Sequence, residues 1–334
     1  MYIGRRSIRV LNRSIYSTRQ SRDASSTHRS RIRVPAPFPV MESCPLPTCP
    51  CRPAPEGLEI DREQPLNGTM AAYSEQILVC TGKDDWKSKI EDEEGEHGEL
   101  VRQLRALLGR GGKFCDPYNN VMLTNSSFPS ANPSSSVTSA YLLPSFRYIP
   151  SLSNEKSSVE NFVKGFLQPT QLHDAHNALP QELKETLIRD PSLQTQFVGV
   201  RDVDDILVLI CGHGGRDRRC GVLGPLLKSE FEEKLQMKGI NATTTSSQAT
   251  KEQSLHSAQV GLISHIGGHK FAGNLIIYIP PSFKDNPLAG QGLWYGRVGP
   301  EHVEGIVQET ILEGKVISSM FRGGIKQGGE VIRL

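Results

Sequence analysis

Apolar positions fall into two similar series along the chain. Gln76–Cys80 (QILVC) is a continuous apolar run of strand length, followed by the polar turn Thr81–Asp85. Leu100, Leu104 and Leu107 recur at helical spacing over His97–Leu108, and Gly109 ends that stripe. Thr124–Ser158 is rich in Ser, Pro and Asn and reads as loop around a short strand near Tyr141–Leu143, with helices predicted at Val159–Leu167 and Gln181–Ile188. The series then restarts. Asp205–Cys211 (DILVLIC) predicts a strand and Leu223–Met237 a helix; Asn241–Ser254 is a low-complexity stretch expected as a surface insertion. Strands follow near Val260–Ser264, Asn274–Ile279 and Leu293–Val298. A last helix is predicted from Pro300 to Leu312, where Pro300 and Glu301 suit a helix start.

Both series open with an apolar strand ending in cysteine before a polar turn that contains glycine, which hints at two related α/β units. Each half is too short for a barrel, so small open-sheet α/β sandwiches are expected over 35–190 and 191–334. The longest apolar runs, Ile206–Cys211 and Leu275–Ile279, fall far short of the roughly 20 residues that span a bilayer, and no membrane span is expected.

Charge separates a third region. The 334 residues carry a formal charge of +2, yet residues 1–34 hold nine arginines, no lysine and the single acid Asp23, leaving the rest of the chain at −6. An acidic body argues against a nucleic-acid binder. Ile8, Leu11 and Ile15 share one helical face, with Arg6, Arg9 and Arg13 on another side. This Arg- and Ser-rich, acid-poor pattern is that of a mitochondrial presequence, for the matrix or the intermembrane space. Pro35–Pro55 is proline-dense, contains Cys44, Cys49 and Cys51, and is expected to be irregular.

Candidate chemistry concentrates in Cys211-Gly-His-Gly-Gly-Arg-Asp-Arg-Arg-Cys220 and in His265-Ile-Gly-Gly-His269. Two cysteines bracket a glycine-rich loop that leaves a buried strand, and two histidines flank a Gly-Gly pair after another. Two cysteines and two histidines suit zinc or an iron–sulfur cluster. Compact zinc modules space their cysteines two to four residues apart, whereas eight residues intervene here. A Rieske pattern fails because Cys220 is followed by Gly221, Val222 and Leu223, with no histidine. His213 is a rival third histidine, or a residue that hydrogen-bonds the loop. Arg216, Arg218 and Arg219 would either attract an acidic partner or form a solvated face. No C-x-x-C, G-x-S-x-G, H-E-x-x-H or Walker pattern occurs.

The runs ICGHGGRDRRCGVLGPLL, HIGGHKFAGNLIIY and LWYGRVGPEHVEGIV together resemble the sucrase/ferredoxin-like family. The upstream CPLPTCPC and ILVCTGKDDW stretches resemble its fungal, altered-inheritance-of-mitochondria branch. The resemblance covers about Cys44 to the C-terminus. It implies thioredoxin-like ferredoxin units with a [2Fe–2S] cluster on Cys211, Cys220, His265 and His269, the two histidines standing where plant and bacterial members present a C-x3-C pair. Two ferric ions, two sulfides and two thiolates sum to zero with neutral imidazoles, against −2 for four thiolates. The reduction potential should then lie above the roughly −400 mV of plant-type ferredoxins, and should depend on pH. The expected function is electron transfer or redox homeostasis in mitochondria rather than substrate turnover, with an unidentified redox protein and the iron–sulfur assembly machinery as partners. Two other readings stay open: a thiol–disulfide oxidoreductase using Cys49 and Cys51, and a zinc-stabilised interaction protein.

Overall fold

The computed structural model describes residues 36–131, 137–242 and 257–334. The presequence expected over 1–34 and most of the insertion expected over Asn241–Ser254 lie outside these residues. In chain order the elements are β1 (Val40–Met41), β2 (Glu75–Cys80), α1 (Gly95–Leu108), β3 (Val121–Ser126), β4 (Val137–Leu143) and β5 (Arg147–Ser153). Next come α2 (Lys156–Phe162, running on as a π turn over Val163–Leu167), α3 (Gln181–Leu187), β6 (Arg201–Asp202), β7 (Ile206–Cys211) and α4 (Arg218–Met237). They are followed by β8 (Asn241–Ala242), β9 (Ser257–Ile263), β10 (Leu275–Ile279) and β11 (Gln291–Tyr295). The last are α5 (Pro300–Gly305, running on as a π turn over Ile306–Leu312), β12 (Val316–Ile317), β13 (Phe321–Lys326) and β14 (Val331–Ile332).

β2 and β7 are buried at every position, as strands with apolar residues on both faces must be. Each is the second strand of the same local pattern. β2 pairs in parallel with β3 and antiparallel with β4, which pairs antiparallel with β5. Likewise β7 pairs in parallel with β9 and antiparallel with β10, which pairs antiparallel with β11. A helix connects the parallel pair in each half (α1, α4), and in each half a helix ending in a π turn follows the fourth strand (α2, α5). The repeated series of apolar strands seen in the sequence thus corresponds to a repeated topology.

The two patterns meet edge to edge in one mixed sheet of twelve strands among the described residues, in the order β14-β13-β11-β10-β7-β9-β3-β2-β4-β5-β6, with β8 added beside β9. The joint is the antiparallel contact of β3 with β9 at Ser126 and Ile263. It is closed reciprocally. Ser264 N–H donates to Asn125 O and Ser127 N–H to Leu262 O, each at 2.9 Å. In return Asn125 N–H donates to Ser264 Oγ and Leu262 N–H to Ser127 Oγ, also at 2.9 Å. A directional chain of buried polar groups also crosses the interior. Trp294 Nε1–H donates to Tyr73 Oη (3.0 Å), Tyr73 and Tyr278 hydroxyls bond at 2.6 Å, Tyr278 donates to Gln76 Oε1 (2.8 Å), and Gln76 Nε2 donates to Thr124 Oγ1 (2.8 Å).

Most expected elements are present within a few residues of their predicted bounds. Thr124–Ser158 is the exception: the short strand expected near Tyr141–Leu143 is the end of the longer β4, and the loop expected around it includes the end of β3 and all of β5. Its polar residues are interior ones. Thr124, Asn125, Ser126, Thr138 and Ser139 are buried, and the hydroxyls of the serines and threonines bond main-chain groups and other side chains, as when Ser126 Oγ donates to Val79 O. Three C-terminal strands, β12 to β14, carry no pattern strong enough to have been predicted. The proline-rich segment is irregular as expected, apart from β1, which lies parallel to β12.

Two stability measurements test this packing. Ser264→Ala leaves the buried N–H of Asn125 without an acceptor, and should cost about 1–3 kcal/mol in urea unfolding. Glu75, at the start of β2, is pushed up to about 7 by burial, although Ser145 donates to it from both N–H and Oγ–H. Its folded state binds the proton more tightly than the unfolded one, so its contribution is complete below about pH 4.5 and is lost as pH rises through about 7. Glu75→Gln should flatten that slope and raise stability at pH 8, by up to about 3 kcal/mol; an unchanged slope would count against it.

Candidate metal centre

Cys211 ends β7, where Gly212 N–H donates to Ile263 O of the neighbouring β9 (3.1 Å). The chain must reverse at once, because α4 begins at Arg218. Two glycine pairs permit it. A Cβ on Gly224 would lie 2.5 Å from the Cα of Gly212, and one on Gly221 would lie 2.5 Å from the Cα of Gly214. Loop backbone therefore presses directly on the first turns of α4, bringing Cys220 to Cys211. Cys220 sits in the first turn of that helix, which starts five residues earlier than its apolar stripe suggests. The sequence signal for this start was Asp217, whose carboxylate accepts from Arg219 N–H (3.0 Å) as an N-cap. Hydrogen bonding to the Arg219 guanidinium holds the Asp217 carboxyl down to about 2.

Both cysteines are buried. The bond from Cys220 drives the Cys211 thiol well below the ordinary range, with His265 adding to the effect, while the same bond and burial push Cys220 up. Ligand atoms of Cys211, Cys220 and His265 all lie within 4.8 Å of one another. His265 Nδ1 is buried and has no hydrogen-bond partner, leaving a lone pair free to bind a metal. These donors fit a borderline-to-soft metal centre. His269 opens a short 3₁₀ turn (His269–Phe271), is exposed, and lies with its ring centroid 5.3 Å from that of His265. It borders the three-residue group without belonging to it.

His213 is not free to be a ligand. Its ring is 1% exposed. Nδ1 accepts the backbone N–H of His265 at 3.0 Å, and Nε2–H donates to Trp86 O (3.1 Å) and Lys87 O (2.9 Å). One neutral imidazole thus brackets the histidine loop, the cysteine loop and the turn after β2. That turn also receives Gly215 N–H on the Asp85 carboxylate at 3.0 Å, and a Cβ on Gly215 would come within 2.1 Å of Trp86 O. The contribution of Asp85–Lys87 had no signal in the sequence. Of the three loop arginines, Arg219 is paired with Asp217 at 2.8 Å, whereas Arg216 and Arg218 are exposed.

A cysteine–histidine group held on paired α/β strands agrees with the comparison to known families, in which residues 66–323 match the model described as Sucrase/ferredoxin-like. The chain belongs to the sucrase/ferredoxin-like family. Within it the chain is 30% identical over 294 residues to "Altered inheritance of mitochondria protein 32" of Meyerozyma guilliermondii, covering 85% of this chain and 94% of that protein. It is 31% identical over 298 residues to the protein of the same name in Debaryomyces hansenii (85% and 96%). "Actin patches distal protein 1" of Saccharomyces cerevisiae is 26% identical over 271 residues (76% and 74%). No solved structure matches the chain. The names of the first two relatives associate this type of sucrase/ferredoxin-like protein with mitochondria. Among the described residues no helix is long and apolar enough to cross a membrane.

The remaining cysteines lie outside the three-residue group. The Cys44 thiol donates to His302 O (3.4 Å), and burial pushes it up to about 11. The Cys49 thiol donates to the Glu304 carboxylate at 3.2 Å, and both Cys49 and Cys51 are half-buried. The segment is pinned to α4 by Arg52, which pairs with buried Glu230 at 2.7 Å, and by Lys234, which donates to Pro50 O at 2.8 Å.

Metal titration separates ligand from bracket. His265→Ala should abolish stoichiometric metal binding. His213→Gln should weaken it by about 10–100-fold while leaving the saturated site's absorption spectrum unchanged. A His213 variant that changes the spectrum would make it a ligand.

Proposed function

We propose that the chain is a mitochondrial [2Fe–2S] protein that exchanges single electrons with a partner, holding its cluster on Cys211, Cys220, His265 and His269. The observation that carries this reading is the buried Cys211–Cys220 pair with its ligand atoms within 4.8 Å of a ligand atom of His265, whose buried Nδ1 has no hydrogen-bond partner. Bound there, the cluster would supply one-electron oxidation and reduction. The residues supply the rest. Glycines at 212, 214, 221 and 224 let backbone approach where side chains would intrude. His213 fixes the histidine loop, and the turn over Asp85–Lys87 closes one side.

His269 is the fourth ligand in this reading. It is exposed, next to the buried group, and within electrostatic reach of Asp217, so turning its side chain toward His265 needs no change in the core. An exposed histidine ligand would also be the point of closest approach for a redox partner. Exposed Arg216 and Arg218 nearby in sequence favour an acidic one. Each half, with its second strand central and the order β3-β2-β4-β5 or β9-β7-β10-β11, is read as a thioredoxin-like unit. In the first unit Cys80 stands where Cys211 stands in the second, but Phe128 follows β3 where His265 follows β9. The first unit would thus carry no cluster and serve to brace the second.

Anaerobically purified protein should be brown, contain two irons and two sulfides per chain, and lose its visible absorption on reduction with dithionite. Colourless protein with stoichiometric zinc would sink the proposal. Colourless, metal-free protein that reduces disulfides through Cys49 and Cys51 would favour a thiol oxidoreductase instead.

A further inference from the structure

Arg322 on β13 is 1% exposed, and none of its side-chain hydrogen bonds goes to a carboxylate. Nε donates to Thr69 Oγ1 (3.0 Å), Nη2 to Thr69 O (2.8 Å), and Nη1 to Asn274 Oδ1 (2.7 Å) and Gly267 O (3.1 Å). The guanidinium carbon lies 5.6 Å from the ring centroid of Phe271 and 5.5 Å from that of Trp294. Every donor contact is thus to a neutral group, and the remaining surfaces are aromatic. Buried ions are normally paired, because neutral dipoles replace only part of the lost hydration.

Asn274 ties Arg322 to the cysteine pair: its Oδ1 accepts from Arg322 Nη1 (2.7 Å) and its main-chain O accepts from Cys211 N–H (2.9 Å), and the charges that act on the guanidinium are those of Cys211 and Cys220. They favour its charged form against burial, which alone draws it down, and the balance leaves it at about 10 and protonated at neutral pH. The same guanidinium underlies the loop that carries the two histidines. Gly267 supplies one of its acceptors, and a Cβ on Gly268, whose φ is +73°, would lie 2.5 Å from Nη2. From the other side the N-terminal segment folds over it, with the N–H groups of Gly68 and Met70 both donating to Arg322 O (2.9 and 3.2 Å).

We propose that Arg322 is the buried counter-charge of the Cys211–Cys220 thiolate centre, and that it raises the centre's affinity for an electron. The proposal rests on the cluster reading above. With two thiolates and two neutral imidazoles the oxidised centre is neutral, and one electron makes it −1. A fixed positive charge in the same low-dielectric region stabilises the reduced form more than the oxidised one. A zinc site would gain nothing comparable, since its charge does not change.

The test is an anaerobic redox titration of the cluster-loaded full chain, followed by visible absorption, with iron and sulfide counted per chain. Arg322→Gln removes the charge but keeps a polar group against Thr69 and Asn274. It should lower the equilibrium constant for one-electron reduction at least tenfold, a shift of 59 mV to more negative potential. Thr69→Asp keeps the arginine and neutralises it with an adjacent carboxylate; it should shift the potential in the same direction and decides the matter if Arg322→Gln fails to fold. Arg322→Lys, which preserves the charge, should stay close to wild type. Variants that load less cluster at an unshifted potential would reduce Arg322 to a packing role and overturn the proposal. Wild-type protein without iron and sulfide would instead overturn the cluster reading.

Discussion

Everything at the candidate metal centre depends on the joint between β3 and β9. Two half-sheets meet there along strand edges, and reciprocal acceptance of main-chain N–H groups by Ser127 and Ser264 satisfies donors that would otherwise be buried and unpaired. Closing the joint fixes the point at which β9 ends. His265 is the next residue after Ser264, so the position of one candidate metal donor follows from the pairing of the two halves. The His213 ring adds a second tie at the same place, linking main-chain groups from both halves.

This arrangement gives the first half a role although its own strand–turn–helix motif lacks a ligand set. Cys80 ends β2 as Cys211 ends β7, and His97 is the third residue of α1 as Cys220 is of α4. The equivalent of His265, however, is Phe128, and it packs inward: its ring fills the space beside Gly261, where a Cβ would come within 2.7 Å of it. At this position one half has a core side chain and the other a candidate donor. The first half supports the second through the turn at Asp85–Lys87.

Electrostatics in the second copy are arranged around thiolate. Cys220, in the first turn of α4, bonds Cys211 and draws that thiol down while its own is pushed up. The Asp217 cap is neutralised by Arg219, so it adds little negative potential of its own. Arg322 lies beneath, hydrogen-bonded only to neutral groups. The formal charge of +2 over the whole sequence conveys none of this, because the relevant charges are a few buried ones at a single loop crossing.

The sequence by itself determined the long apolar elements and the ligand candidates. Strands buried on both faces must be continuous apolar runs, amphipathic helices must repeat every three to four residues, and cysteine and histidine at glycine-rich turns are uncommon without a chemical reason. It revealed only the end of β4, near Tyr141–Leu143, and not β5, because there buried serine and threonine hydroxyls satisfy main-chain and side-chain partners, and polarity alone reads as loop. Only the tertiary structure decided that both ring nitrogens of His213 are taken up by main-chain partners and that Arg322 lies under the histidine loop. Each of these depends on partners more than 50 residues away in the chain, such as Thr69 for Arg322 and Trp86 for His213. Local spacing carries no information about such partners; the pairing of strands brings them together.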